Sequence, residues 1–124
     1  MIFLSVALAG GLGAAARYLV DFWIVSRGIT RVPLGTFTVN VSGSFALGLL
    51  AVAAVGGVAS PAVATVLGAG FLGAYTTFST WMYEAARLLQ RGAYRAAVWT
   101  IFGSVVAGVA AAALGILCGR LLFG

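Results

Sequence analysis

The chain has 124 residues, 63% of them hydrophobic and only 7% charged, with a net charge of +5 at pH 7. An ordinary soluble domain carries about 25% charged residues, so this composition excludes a water-facing surface and predicts an all-α membrane protein. The length holds four bilayer spans of about 20 residues each and leaves no room for a soluble catalytic domain.

The first span is predicted over residues 2–23, with Arg17 and Asp21 near its end. It has no basic start and runs too long for a signal peptide, so it reads as a mature span. A polar link, Val25 to Arg31, leads to Pro33, a plausible first-turn proline. The second span covers residues 34–55. Gly56, Gly57, Ser60 and Pro61 then make a turn, with Ser-Pro opening the next helix. The third span covers residues 62–86, a basic link runs from Arg87 to Arg95, and the fourth span covers residues 96–117. No linker is long enough to divide domains.

The basic excess lies at the span ends, where Arg sets orientation rather than nucleic-acid binding. Arg17, Arg27, Arg31, Arg87, Arg91 and Arg95 fall on the side of the first and third links, and Arg120 alone falls on the side of the termini. The positive-inside rule places the two basic links in the cytoplasm and both termini outside. Small residues mark close helix packing: Ala9, Gly13 and Ala16, then Ser44 and Gly48, then Ser104, Gly108, Ala112 and Gly115. Gly11-x-Gly13-x-x-Ala16 has the outline of a dinucleotide fingerprint but sits inside a span with no preceding strand, and is discarded. Cys118 is alone in an apolar run and His is absent, so neither a disulfide framework nor a transition-metal cluster is expected.

Polar groups inside a span are candidate sites because lipid cannot satisfy them. Thr36, Asn40 and Ser44 recur every four residues on one helical face. The Asn40 amide could replace water around an anion, or it could bond across a helix contact. In the third span, Gly68, Gly70 and Gly73 precede the hydroxyl run Thr76, Thr77, Ser79, Thr80. Such a run could break the helix and free carbonyls for a hard cation, or it could pack as a continuous helix with hydroxyls bonded to the preceding turn. Phe78 and Trp81 share a face, and their ring edges carry partial positive charge. Thr100 and Ser104 could extend a polar track or bond their own backbone. Arg17 and Glu84 lie near span ends, where snorkelling accounts for them. Arg17 could also draw anions into a vestibule.

The order of three motifs is more specific than any one of them. Gly10-Gly-Leu-Gly-Ala-Ala-Ala-Arg17-Tyr18, then Pro33-Leu-Gly-Thr-Phe-Thr-Val-Asn40-Val-Ser-Gly-Ser-Phe45, then Gly70-Phe-Leu-Gly-Ala-Tyr-Thr-Thr-Phe-Ser-Thr80 with Glu84, closely resembles the bacterial Fluc (CrcB) family across all four spans. The resemblance implies a fluoride-specific ion channel that lets fluoride leave the cell passively. It also implies a break in the third helix, an antiparallel dual-topology dimer in the bacterial cell membrane, and a structural Na+ that is not transported. By motif match, the carbonyls of Gly73 and Thr76 hold the Na+. Asn40, Phe78, Trp81, Ser79, Thr80, Thr100 and Ser104 line the pore, and Arg17 stands at its vestibule.

Two positions depart from the family pattern. Trp81 replaces a usual second Phe, which puts the conduction rate and pore lining in question. Met82 stands where a small polar residue is common. The Arg bias adds an expectation of its own. A homodimer of opposed subunits needs each chain to insert both ways, whereas this chain is committed to one orientation. A heterodimer with an oppositely oriented paralogue is therefore favoured over a homodimer.

Two other classes compete. A small multidrug-type proton-coupled exporter needs a carboxylate at mid-membrane, but Asp21 and Glu84 lie near span ends. A non-transporting scaffold subunit would account for the Gly and Ala packing but not for the ordered polar clusters. An enzyme is excluded on the sequence, which offers no nucleophile–base pair.

Overall fold

The computed structural model describes residues 1–28 and 32–124; Arg31, counted above in the charge bias, lies outside them. Four helices are long and apolar enough to cross a bilayer: Ile2–Val25, Leu34–Val55, Pro61–Gln90 and Tyr94–Phe123. We label the first two α1 and α2. The third divides into α3, made of the consecutive segments Pro61–Thr65, Val66–Leu72 and Gly73–Tyr75, and α4, Ser79–Gln90. The fourth, α5, is continuous from Tyr94 to Phe123, with a π-helical stretch at Trp99–Gly103.

Burial is inverted relative to a soluble protein. The buried apolar residues are small, Ala9, Ala53, Ala85, Ala97 and Ala111 with Val39, whereas Phe3, Leu12, Phe22, Trp99, Leu121 and many like them face outward. Lipid tails give large apolar side chains no reason to hide, so helix association depends on close backbone approach. The most extensive interface is α2 on α5. There a Cβ on Gly48 would overlap the Ala112 carbonyl, and one on Gly115 would overlap the Phe45 carbonyl. Gly13 of α1 meets the Phe71 carbonyl of α3 in the same way.

The turns follow local chemistry. The Ser60 hydroxyl caps α3 by accepting from the Val63 amide at 3.3 Å, with Pro61 in the first helical turn. Gly57 and Gly92 take φ of 74° and 73°, the left-handed region in which a side chain is strained. The basic link is much shorter than Arg87 to Arg95: α4 runs to Gln90 and α5 starts at Tyr94. Arg, Leu and Gln are good helix formers, so the third helix continues past the apolar stretch.

The glycine run of the third span remains helical. Val66–Leu72 widens to π geometry, and Gly70 packs against Val6 and Ala9 of α1. Helical geometry pauses three residues after Gly73. Thr76 has φ −81° and ψ 158°, and α4 begins only at Ser79.

Candidate functional site

The polar face of α2 points at this pause. The Asn40 carboxamide makes two bonds to one residue: its N–H donates to the Thr77 carbonyl at 2.8 Å, and its oxygen accepts from the Thr77 N–H at 2.8 Å. A primary amide presents the same donor–acceptor pair as a peptide, so Asn40 stands in for a missing helical neighbour. Its second N–H has no partner among the described residues. One turn toward the first link, the Thr36 hydroxyl donates to Glu84 Oε1 at 3.0 Å. One turn the other way, Ser44 donates back to the Asn40 carbonyl at 2.7 Å. The three residues of the row thus have three different partners.

Thr77 is the residue that the sequence reading missed. It is 8% exposed, and its hydroxyl accepts from the Thr80 N–H at 3.2 Å, which caps α4. The signal was present in the spacing Thr77-x-x-Thr80, since a Thr three residues before a helical amide is a capping pattern. Thr76 donates its own hydroxyl to the Leu72 carbonyl at 2.9 Å. Ser79 is exposed and lies 3.5 Å from the Thr77 hydroxyl.

A cleft of about 440 Å³ opens between α2, α3 and α5. Asn40, Ser44, Gly73, Thr76, Phe78, Trp81 and Ser104 contribute to its wall, and among the described residues no charged side chain does. Phe78 is 71% exposed and meets Trp81 edge-on, with centroids 5.7 Å apart and planes at 84°. The Trp81 indole N–H donates to the Thr100 carbonyl at 2.7 Å, so it does not point freely into the cleft. The Thr100 hydroxyl is buried without a partner among the described residues. It therefore does not bond its own helix. A second, largely apolar cleft of about 340 Å³ lies toward Pro33 and shares Trp81 and Ser104 with the first.

The remaining expected site residues lie elsewhere in the subunit. Arg17 and Thr80 line a pocket of about 210 Å³ with Asp21, Thr36 and Thr77, which shares only Thr77 with the large cleft. Glu84 Oε2 is buried and unpartnered among the described residues. Beside it, Asp21, Arg87 and Arg91 line another pocket of about 330 Å³ at the first-link end.

Residues 4–116 match the family model described as CrcB-like protein, Camphor Resistance (CrcB). The chain belongs to this CrcB-like family. It is 48% identical to the fluoride-specific ion channel FluC 1 of Leifsonia xyli subsp. xyli over 98% of this chain and 88% of that one. It is equally 48% identical to FluC 1 of Symbiobacterium thermophilum, over 96% and 98% of the two chains. FluC 2 of Mycobacterium tuberculosis is 47% identical, over 92% and 87%. With four helices among the described residues long and apolar enough to cross a membrane, and relatives named fluoride-specific ion channels, this CrcB-like chain is a multi-pass membrane protein.

Proposed function

We propose that the chain is a subunit of a fluoride-selective channel in a bacterial cell membrane, passing fluoride out of the cell down its electrochemical gradient. The observation that carries this reading is the large cleft, in which amide, hydroxyl and aromatic-edge donors converge with no fixed charge. Fluoride holds its water tightly, so a pore must supply several donors in place of that shell. Asn40 offers its second N–H and Ser104 its hydroxyl, whereas the Ser44 hydroxyl already donates to the Asn40 carbonyl, and the Phe78–Trp81 pair presents a ring edge. Weak sites in series permit exit as well as entry. Arg17 lines the neighbouring pocket, which meets the cleft only at Thr77, and from there it adds positive potential that draws anions.

The pause at Thr76–Phe78 is the break in the third helix, and Na+ is its structural ion. The donor set fits a hard cation. In a regular α-helix the amides of residues 77–80 would bond to the carbonyls of residues 73–76. Here the Thr77 amide bonds to Asn40 and the Thr80 amide to the Thr77 hydroxyl instead. The carbonyls of Gly73 and Thr76, like those of Ala74 and Tyr75 between them, lack their usual ladder partners, and main-chain carbonyls at a helix break suit Na+. The ion supplies positive charge that holds this backbone; it is not transported.

The functional unit is an antiparallel dimer. Ser42 and Ser79 are exposed, and the Ser42 hydroxyl lies 2.9 Å from the Tyr75 hydroxyl. Exposed polar groups within a span are unfavourable against lipid, which favours a second subunit as their cover. The Arg asymmetry favours an oppositely oriented paralogue over a second copy.

Fluoride efflux from liposomes containing the purified chain, with Na+ present, tests the reading beside Phe78→Leu. Fast fluoride loss without chloride loss, reduced in the variant, supports it. If the chain alone is silent, the pair with its paralogue is measured; silence of the pair too would overturn the channel reading.

A further inference from the structure

We infer that Asn40 and Thr77 are positioning residues that set Na+ affinity, each by diverting one main-chain amide away from a carbonyl the ion would use. The inference rests on the proposed Na+ site and adds side chains to what is otherwise a purely backbone site.

The geometry is specific. Thr76 turns out of the helix at ψ 158°, and the four amides of residues 77–80 lose their regular acceptors; two of them, Thr77 and Thr80, are taken by side chains. The Thr77 amide is taken by Asn40 Oδ1 at 2.8 Å from the neighbouring helix, and the Thr80 amide by Thr77 Oγ1 at 3.2 Å within the third. Each bond does two things. It satisfies a donor that lipid could not, and it keeps that donor from returning to Gly73 or Thr76. Without the Asn40 oxygen, the Thr77 amide is best satisfied by resuming the bond to the Gly73 carbonyl. Without the Thr77 hydroxyl, the Thr80 amide is best satisfied by the Thr76 carbonyl. Either change draws a ligand back into the helix, so apo and ion-bound forms come to differ by a helical hydrogen bond that Na+ must break. Asn40 also faces the large cleft. One side chain therefore touches both the proposed anion path and the backbone that holds the cation.

Thr77→Val keeps the shape of the buried side chain and removes the hydroxyl; Thr77→Ser keeps the hydroxyl. Na+ affinity is read from the Na+-dependent rise in thermal unfolding temperature of the detergent-purified protein in a K+-free background. Thr77→Val is expected to weaken Na+ about tenfold, the scale of one competing hydrogen bond, with Thr77→Ser within about twofold of wild type. Asn40→Ala, measured the same way, is expected to weaken Na+ comparably and serves if Thr77→Val does not fold. Wild-type affinity in Thr77→Val or Asn40→Ala overturns the inference, as does equal loss in Thr77→Val and Thr77→Ser. Absence of any Na+ effect on the wild type also overturns it. Fluoride efflux from the same preparation then shows whether the channel reading survives.

Discussion

Trp81 and Thr100 are tied by an indole N–H that donates to a main-chain carbonyl at 2.7 Å, joining α4 to the π-helical stretch of α5. Phenylalanine, the residue that the resemblance leads one to expect here, has no donor to make this bond. The departure at Trp81 therefore acts first on structure. Trp81→Phe leaves the Thr100 carbonyl without this donor at a site shielded from water. The expected loss is about 1–2 kcal/mol of stability, read from thermal unfolding in detergent. An unchanged unfolding temperature would mean that the carbonyl finds another donor.

Thr36 and Glu84 tie α2 to α4. Thr36 is 4% exposed, and its hydroxyl donates to Glu84 Oε1 at 3.0 Å. Thr36→Val is expected to destabilise the protein by about 1–2 kcal/mol, because it strips a donor from a partly buried carboxylate. A cycle with Glu84→Ala should show a coupling above about 0.5 kcal/mol. Strict additivity would show that the bond contributes nothing.

The α2–α5 contact makes a steric prediction with an internal control. Gly48→Ala drives a methyl group into the Ala112 carbonyl, and overpacking of this kind costs about 1–3 kcal/mol or separates the helices. Gly11→Ala meets nothing within 4 Å and replaces a mid-helix glycine, so it should leave stability unchanged or raise it by about 0.5 kcal/mol. Unfolding of the two variants side by side checks the contrast.

Orientation is testable without transport. With six Arg on the side of the first and third links and one on the other, the chain expressed alone should insert with both termini outside. Accessibility of tagged termini in intact cells reads this directly. A population split equally between orientations would remove the argument for a paralogous partner, and moving three Arg to the other side should invert the chain.

The periodic polar face of α2 was legible in the sequence, because spacing by four fixes a shared face in any helix. The sequence left open whether Asn40 served an anion or a helix contact; the fold shows the helix contact, against Thr77, and also sets Asn40 in the cleft wall. The pause was partly legible: the run from Gly68 to Thr80 left a broken and a continuous helix open, and the resemblance put the carbonyls of Gly73 and Thr76 at a break. The glycine stretch before it stays helical, with Gly70 packed on α1. The chain leaves the helix at Thr76, where side chains can replace the ladder.

By itself, the sequence determined the solvent, the number of spans, their packing faces and the charge asymmetry. These follow from hydrophobic content, run length and helical period, all of which are local properties. Only the tertiary structure decided where the pause falls, what Asn40 and Trp81 bond, and that Arg17 and Thr80 lie in a pocket apart from the large cleft. Those outcomes depend on which amide or carbonyl a neighbouring helix brings within about 3 Å. No spacing along one chain encodes that distance, which is set when the small faces of Gly48, Gly115 and Gly13 let the backbones close together.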